Sequence, residues 1–334
     1  MAPVSADTAP ADGSPRLEHS GRITLRFLAA PTDVADLGGA AVSAGRVLEW
    51  IDKAAYACAV GWSASYCVTV YVGNVSFSRP IQSGQIVEVH ARLVYTGRTS
   101  MHIEVTVTSG DPQDGRQFPT TSCTVVFVAV GEGGTPVAVP PWRPVTEDDR
   151  HRETTARDKV QLRSDIEAAM KEQTYSSQGS APTATLRFLA APTDVNWGGK
   201  THGGTVMRWI DEAASVCAGG WSGLTGVAVY SGGIRFYRPV LIGHLVQVEA
   251  RLLYTGRTSM HVSVHVRSTD PKRPDEMALT THCLTVFVAL DDERRPTPVP
   301  RWVPVTDEDR QLHAHARHLM QLRARLKPPT PAVG

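Results

Sequence analysis

The stretch NWGGKTHGGTVMRWIDEAA, residues 196–214, contains a Gly-Lys-Thr triplet followed by a run with two acidic residues. The triplet matches the end of a phosphate-binding loop, but that motif also needs a glycine five positions earlier, so that backbone N–H groups can wrap a phosphate. Asp194 occupies that position, and its carboxylate would repel a phosphate. The stretch therefore does not predict a nucleotide site.

The run after the glycines has the period of a helix that is buried along one face. Its apolar residues recur at three- and four-residue spacing. They are Val206, Met207, Ile210, Ala213, Ala214 and Cys217. Asp211 lies at the margin of this stripe, where a carboxylate is costly unless it has a partner or a function.

The same signals occur twice along the chain. An equivalent helix is expected at Val47, Leu48, Ile51, Ala54, Ala55 and Cys58, and the first copy has two extra residues in the loop before it. Three further segments repeat almost unchanged: LRFLAAPTDV at 25–34 and 186–195, ARLVYTGRTSMH at 91–102 (ARLLYTGRTSMH at 250–261), and PWRPVTEDDR at 141–150 (RWVPVTDEDR at 301–310). The chain is a tandem duplication of a unit of domain size.

Within each unit the helix is followed by several apolar or alternating runs typical of strands, such as HLVQVEARLLY and CLTVFVAL. This order predicts an α+β fold in which an antiparallel sheet wraps around one central helix. Since each unit alone would expose a sheet edge, we expect the two sheets to pair as a pseudo-dimer rather than to form two independent domains. The expected divisions are a disordered tail (1–20), a first domain (21–150), a helical linker (151–184), a second domain (185–326) and a C-terminal tail (327–334).

Composition excludes several classes of protein. The chain has 334 residues and a formal net charge of +1, so it has no basic excess for nucleic acid. Its apolar runs are too short to span a bilayer, and its first twenty residues lack the pattern of a signal peptide, so we expect a cytoplasmic protein without membrane association. The five cysteines have no metal-site spacing and are expected to be buried free thiols. His313, His315 and His318 are interpreted as part of a solvated helix face.

These motifs together resemble the double-hotdog acyl-CoA thioesterases of the acyl-CoA hydrolase family. The likeness is carried by PTDVNWGGKTHGGTVMRWIDEAA at 192–214, by the Gly-Arg-Thr-Ser-Met segments, and by the closing Val-Pro-x-Trp-x-Pro-x-Thr. It covers nearly all of the chain outside its tails. The resemblance implies two hotdog domains, hydrolysis of acyl-CoA to a free fatty acid and CoA, no cofactor or metal, and a homo-oligomer, a trimer of fused chains.

A thioesterase needs a base or nucleophile and a donor for the developing oxyanion. The free N–H groups of a helix start can supply the donor. Asp211 lies seven residues, about two turns, after Gly204, so one helix cannot easily bring both groups to one carbon. The resemblance implies a site shared between the two halves, with Asn196, Gly203 and Gly204 facing Asp52 as base or nucleophile.

The reciprocal site would combine Asp211 with Gly45. There Ala35 replaces the asparagine, and Ser43-Ala44-Gly45 replaces His-Gly-Gly. We therefore predict one competent site and one degenerate site, although residual activity at the second stays open because both aspartates remain.

Other residues have two interpretations each. Asp52 could be a buried structural carboxylate, and Asn196 could be a turn residue. His202 and Thr205 are candidate substrate contacts, although packing at the helix entrance is the preferred interpretation of His202. The candidates in the two Gly-Arg-Thr-Ser segments could bind pantetheine amides or CoA phosphates, or could only form turns; they are Arg98, Thr99, Ser100, Arg257, Thr258 and Ser259.

Two other functions compete with hydrolysis. Hydratase chemistry on a hotdog fold would pair a histidine with the acid, and neither predicted helix carries a histidine beside its aspartate. A non-catalytic acyl-CoA-binding or regulatory protein is the second alternative, against which the presence of both Asn196 and Asp52 argues.

Overall fold

The computed structural model describes residues 21–35, 41–173, 175–176 and 178–324. The expected tails at 1–20 and 327–334 lie outside the described residues. The first copy contains β1 (Arg22–Leu28), α1 (Ala44–Ser63), β2 (Cys67–Val72), β3 (Val75–Ser76), β4 (Ile86–Thr96), β5 (Ser100–Gly110), β6 (Phe118–Ala129) and α2 (Glu147–Lys171). The second contains β7 (Thr183–Leu189), α3 (Gly203–Ser222), β8 (Gly226–Phe236), β9 (Leu245–Thr255), β10 (Ser259–Thr269), β11 (Ala278–Ala289) and α4 (Asp307–Ala324).

The strands form one antiparallel sheet that runs through both copies. Its strand order is β1-β4-β5-β6-β2-β8-β11-β10-β9-β7, with the short β3 paired to β8. The two halves meet where β2 pairs with β8, at Tyr71 opposite Arg235 and Val72 opposite Ile234. The predicted pairing of the two sheets is confirmed, as is the α+β fold, and each half buries one helix, α1 or α3, against its own strands.

The central helices begin and end at residues that suit those positions. The Ser43 side chain accepts a hydrogen bond from Arg46 N at the start of α1, and His202 is the N-cap of α3. The helices end at Ala64 and Gly223, both in the left-handed conformation. The predicted apolar stripes of both helices are buried.

The two helices also contact each other, through glycines in their first turns. A Cβ on Gly45 would lie 2.8 Å from Arg208 Cα, and a Cβ on Gly204 would lie 2.8 Å from Glu49 Cα. Since backbone atoms cannot yield as a flexible side chain can, both positions require glycine. This close approach places the first turn of each helix against the second turn of the other.

The helices α2 and α4 lie on the outer side of the sheet. Leu312 and Ala316 of α4 pack on Leu253 and Leu284 of the second half. His315 of the same helix is 5% exposed. The interpretation of the histidines as a solvated face is therefore wrong for His315, because α4 uses this face to cover the sheet.

The linker helix α2 begins at Glu147, where Thr146 and Asp149 form a capping box. It contacts β4, β8 and α4, so it is packed against both halves. After it, Ser176 and Ser180 hydrogen-bond to the carboxylates of Glu308 and Asp309. None of the described helices is long and apolar enough to cross a membrane. All five cysteines are buried and unpaired.

Candidate active site between the two halves

The Asp52 carboxylate, 2% exposed, is held by donors from both halves of the chain. Its Oδ1 accepts a hydrogen bond from Thr69 Oγ1 at 2.7 Å. Its Oδ2 accepts one from Gly204 N at 2.8 Å and lies 3.0 Å from His202 Nδ1. A buried carboxylate with these partners is oriented firmly, and the predicted meeting of Asp52 with the start of the opposite helix is present.

His202 contacts Asp52 directly. Because Gly204 N–H and the carboxylate Oδ2 both lie close to Nδ1, the consistent arrangement has Nδ1–H and Gly204 N–H each donating to Asp52. Burial lowers the pKa of His202, but its hydrogen bond and charge interaction with Asp52 outweigh burial and raise the pKa above the usual value. Neither helix carries a histidine beside its own aspartate, as predicted, but His202, the N-cap of α3, brings one to Asp52 from the other half and so supplies the pair that hydratase chemistry would need.

The N–H groups of Gly203 and Gly204, in the first turn of α3, differ in their hydrogen bonding. Gly204 N–H is occupied by Asp52, whereas Gly203 N–H has no hydrogen-bond partner among the described residues. A Cβ on Gly203 would lie 3.1 Å from both Asp52 Oδ2 and Thr69 Oγ1. Gly203 N–H is thus a first-turn donor left for a ligand beside the carboxylate, and glycine at this position avoids crowding Asp52 and Thr69.

Asn196 is tied into its own loop through the amide oxygen. Asn196 Oδ1 accepts hydrogen bonds from Gly198 N at 2.9 Å and Lys200 N at 3.1 Å. Its Nδ2 makes a long bond, 3.4 Å, to Thr201 O. The turn role is present, and because it occupies the amide oxygen, any ligand contact of Asn196 would come from the NH2 group, which also lies near Tyr66.

Two cavities meet at Asn196, Trp197 and His202. The first, about 400 Å3, is lined by Asp52, Thr69 and Gly203 and by many apolar side chains, including Val68, Val128, Val206, Phe236 and Val240. The second, about 810 Å3, is a polar cleft lined by charged side chains of both halves, including Arg46, Glu49, Lys53, Arg208 and Glu212. The Asp52 cluster therefore lies in the wall of an apolar cavity that adjoins a polar one.

The reciprocal site retains only part of this arrangement. Asp211 Oδ2 accepts a hydrogen bond from Gly45 N at 2.8 Å. Burial raises the pKa of Asp211 to about 6, partly offset by the Gly45 hydrogen bond. The position of Thr69 is Ala228 in the second copy, that of Gly203 is Ala44, and that of His202 is Ser43. Asp211 thus lacks the side-chain donors that surround Asp52.

The other predicted contacts lie in different places. Thr205 lines the polar cleft. The two Gly-Arg-Thr-Ser segments form the β4–β5 and β9–β10 turns, and none of their residues lines either cavity. Thr69 was not identified from the sequence. The alanine at the equivalent position of the second copy, Ala228, did indicate that the two sites differ there. The described residues contain no cluster of His, Cys, Asp or Glu side chains suited to a metal.

Comparison with known proteins agrees with the fold and the repeat. The sequence model of the thioesterase superfamily matches the chain twice, at residues 39–115 and 198–274. Acetyl-coenzyme A thioesterase of Rattus norvegicus is 27% identical over 305 residues, covering 84% of this chain and 54% of that protein. Cytosolic acyl coenzyme A thioester hydrolase of Mus musculus is 22% identical over 323 residues, covering 91% and 84%. The chain thus spans about half the length of the first of these relatives.

Two solved structures are also similar to this chain. An apo-hexameric acyl-CoA thioesterase is 31% identical, covering 44% of this chain and 93% of that chain, with a TM-score of 0.42. A protein assigned as an oleoyl thioesterase from Lactobacillus plantarum shares the fold, with a TM-score of 0.56, 10% identity, and coverage of 82% and 99%. The chain thus carries two copies of the thioesterase-superfamily domain, and it resembles the double-hotdog acyl-CoA thioesterases.

Proposed function

We propose that the chain hydrolyses acyl-CoA thioesters to a free acid and CoA, using one site centred on Asp52. The observation that carries this proposal is the Asp52 carboxylate, which Thr69 and His202 bind beside Gly203 N–H at a helix start, a donor that no described residue occupies. A base next to an unused backbone donor is the minimum that acyl transfer to water requires.

In the proposed reaction the thioester carbonyl lies at the start of α3, with its oxygen toward Gly203 N–H and the Asn196 amide. Asp52 takes a proton from a water molecule as the water oxygen bonds to the carbonyl carbon. The C–S bond then breaks, and the CoA thiolate leaves with the proton that Asp52 received. Thr69 and His202 hold the carboxylate during these steps, and the positive end of the α3 dipole favours the developing oxyanion.

The two cavities suit the two parts of such a substrate. The apolar cavity beside Asp52 fits the acyl group, and the polar cleft, which shares Asn196, Trp197 and His202 with it, fits the pantetheine arm. The expected trimer of chains and the absence of a cofactor stay predictions, which light scattering and assays with a chelator would check.

The test is thiol release from acyl-CoAs of increasing chain length, with Asp52→Asn and the matched control Asp211→Asn. Asp52→Asn should lower kcat/KM at least a hundredfold, on the order expected for a catalytic base, whereas Asp211→Asn should keep it within about threefold. No thiol release by the wild-type chain would overturn the proposal, and stabilisation by CoA esters without turnover would favour a binding protein.

Hydration of enoyl-CoA is the second candidate, because His202 lies 3.0 Å from Asp52. The same protein is incubated with an enoyl-CoA, and the enoyl absorbance and free thiol are followed together. Loss of the enoyl absorbance without thiol release would show that the chain is a hydratase and not a hydrolase.

A further inference from the structure

Three aromatic side chains surround the Asp52 side of the molecule and have no aromatic counterpart on the Asp211 side. Tyr56, Tyr66 and Trp197 all line the cavity beside Asp52. The repeat places Ser215 at the position of Tyr56 and Thr225 at that of Tyr66, and the aligned loop has Asp36 where the second copy has Trp197. The aromatic residues are therefore confined to the half of the junction that carries Thr69, His202 and Asn196.

Two of these rings form a wall that spans the junction. Tyr56 of α1 and Trp197 of the second copy's loop stack with their ring centroids 4.6 Å apart and their planes 7° apart. Trp197 is nevertheless 70% exposed, whereas tryptophan side chains in folded proteins are mostly buried. An exposed ring held flat against a second ring is a rigid surface available for contact with a ligand.

This wall stands between the two cavities. Trp197 lines both the apolar cavity and the polar cleft, and its ring centroid is 6.0 Å from that of His202, the residue that contacts Asp52. Tyr56 lines only the apolar cavity. The stack therefore lies next to the position proposed for the reacting carbon, where the two parts of the substrate would join.

Tyr66 fixes the loop that carries Trp197. A Cβ on Gly198 would lie 2.3 Å from the Tyr66 hydroxyl oxygen, so the tyrosine ring end lies directly against this glycine. Burial raises the pKa of Tyr66, and interaction with the Asn196 side chain offsets part of that rise. Tyr66 thus contacts the loop on both sides of Trp197.

We propose that the Tyr56–Trp197 stack is the specificity-determining wall of the site and restricts it to short and medium-length acyl groups. The proposal rests on the proposed hydrolase function. The cavity, about 400 Å3, lies near the lower end of the range for small-molecule sites, and Tyr56 and Trp197 both line it. Replacing Tyr56 by the serine of the other copy would extend the cavity along α1.

The experiment measures kcat/KM for saturated acyl-CoAs from acetyl to palmitoyl on the wild type, Tyr56→Ser and Trp197→Ala. For the wild type, kcat/KM should rise roughly fourfold per methylene while the chain is buried, and should fall at least about tenfold beyond roughly ten carbons. Tyr56→Ser and Trp197→Ala should shift the preferred length upward by two or more carbons.

Two further variants control the result. Tyr56→Phe keeps the ring and should keep the wild-type profile, and Ser215→Ala changes the equivalent position of the other half and should leave the profile unchanged. If Tyr56→Ser and Trp197→Ala lower kcat/KM equally for all acyl lengths and do not shift the preferred length, the stack does not determine specificity. Hydrolysis itself would still stand. An inactive wild type would instead overturn the proposed function itself.

Discussion

Asp52 and Gly204, 152 residues apart in the sequence, are joined by a 2.8 Å hydrogen bond from the glycine N–H to the carboxylate. The pseudosymmetric pair, Asp211 and Gly45, has the same bond at the same length. The duplication has therefore kept the backbone cross-links of both sites while changing the side chains around one of them. This difference separates the site proposed to be catalytic, at Asp52, from one at Asp211 that keeps the backbone link.

Gly203→Ala tests the space beside the carboxylate. The added methyl would lie 3.1 Å from Asp52 Oδ2 and Thr69 Oγ1, where the substrate carbonyl is proposed to lie, so we expect kcat/KM to fall at least about tenfold. Gly220→Ala in the same helix is the control, because its Cβ would meet nothing within 4 Å. It should keep full activity and gain up to about 1 kcal/mol of stability in urea unfolding. Normal kinetics for Gly203→Ala would show that the carbonyl binds elsewhere.

Thr69→Ala should remove the hydroxyl that binds Asp52 Oδ1. A hydrogen bond to a charged group contributes about 1.5–3 kcal/mol, so kcat/KM should fall by roughly ten- to a hundredfold. Steady-state thiol release measures the loss, and Thr69→Ser should restore most of the activity because it keeps the hydroxyl. If Thr69→Ser and Thr69→Ala are equally impaired, the threonine acts through its methyl group.

His202→Asn tests the histidine contact by its pH dependence. The folded-state pKa of His202 is raised by Asp52, so its stabilising contribution is fully present below about pH 6.5 and is lost as the pH rises through the folded pKa. Urea unfolding at several pH values should show the wild type more stable than the variant at low pH and the difference shrinking toward high pH. In an Asp52→Asn background this pH-dependent difference should largely disappear; its persistence would assign the effect to another group.

Glu49 and Arg208 form a charged pair that belongs to the tandem arrangement. They occupy equivalent positions in the two copies and lie 3.3 Å apart across the α1–α3 contact, whereas two identical copies would bring like charges together. A double-mutant cycle with Glu49→Gln and Arg208→Gln should give a coupling of about 0.5–1 kcal/mol in urea unfolding, since Arg208 is partly exposed. The cycle for Arg208 with Glu212, its more exposed partner, should give a smaller value. A coupling energy near zero between Glu49 and Arg208 would show that this ion pair does not stabilise the contact between the two unlike halves.

The outer face of the second half should be sensitive to acid. His282 stacks on His265 at 4.1 Å, bonds Ser263 through Nε2, and is faced by Tyr175 of the linker and by His315 and Arg323 of α4. Burial and these charges lower the pKa of His282 to about 3. Because the folded state holds the neutral form, stability is present above about pH 6.5 and is lost below it, by up to about 1.4 kcal/mol per pH unit for this group.

The measurement is urea unfolding between pH 5 and pH 8 for the wild type and His282→Gln. The variant should lose less stability on acidification, whatever its stability at pH 8. An equal slope in the two proteins would show that His282 does not titrate on unfolding.

Several features were predictable because they depend on local patterns. The repeat defined two equivalent units, the 3.6-residue period defined the buried faces of α1 and α3, and strand-like runs defined the sheet. The meeting of Asp52 with Gly204 followed from the family resemblance rather than from the pattern, since periodicity gives the face of a helix and not its neighbour. His315 was misjudged for the same reason: a charged helix with a mixed face does not reveal that a second sheet surface lies beneath it.

The sequence by itself determined the duplication, the central helices, the α+β fold and the asymmetry between the copies, since each follows from residue order within a short segment. Only the tertiary structure decided that His202 and Thr69 reach Asp52 from different elements and that Tyr56 stacks on Trp197. It also decided that Gly204 N–H binds Asp52, whereas Gly203 N–H has no partner in the part of the chain that the structure describes. The physical reason is that these contacts lie at the junction of two copies. Their geometry depends on how closely α1 and α3 approach, and that distance is set by the two glycines and the packed sheet around them.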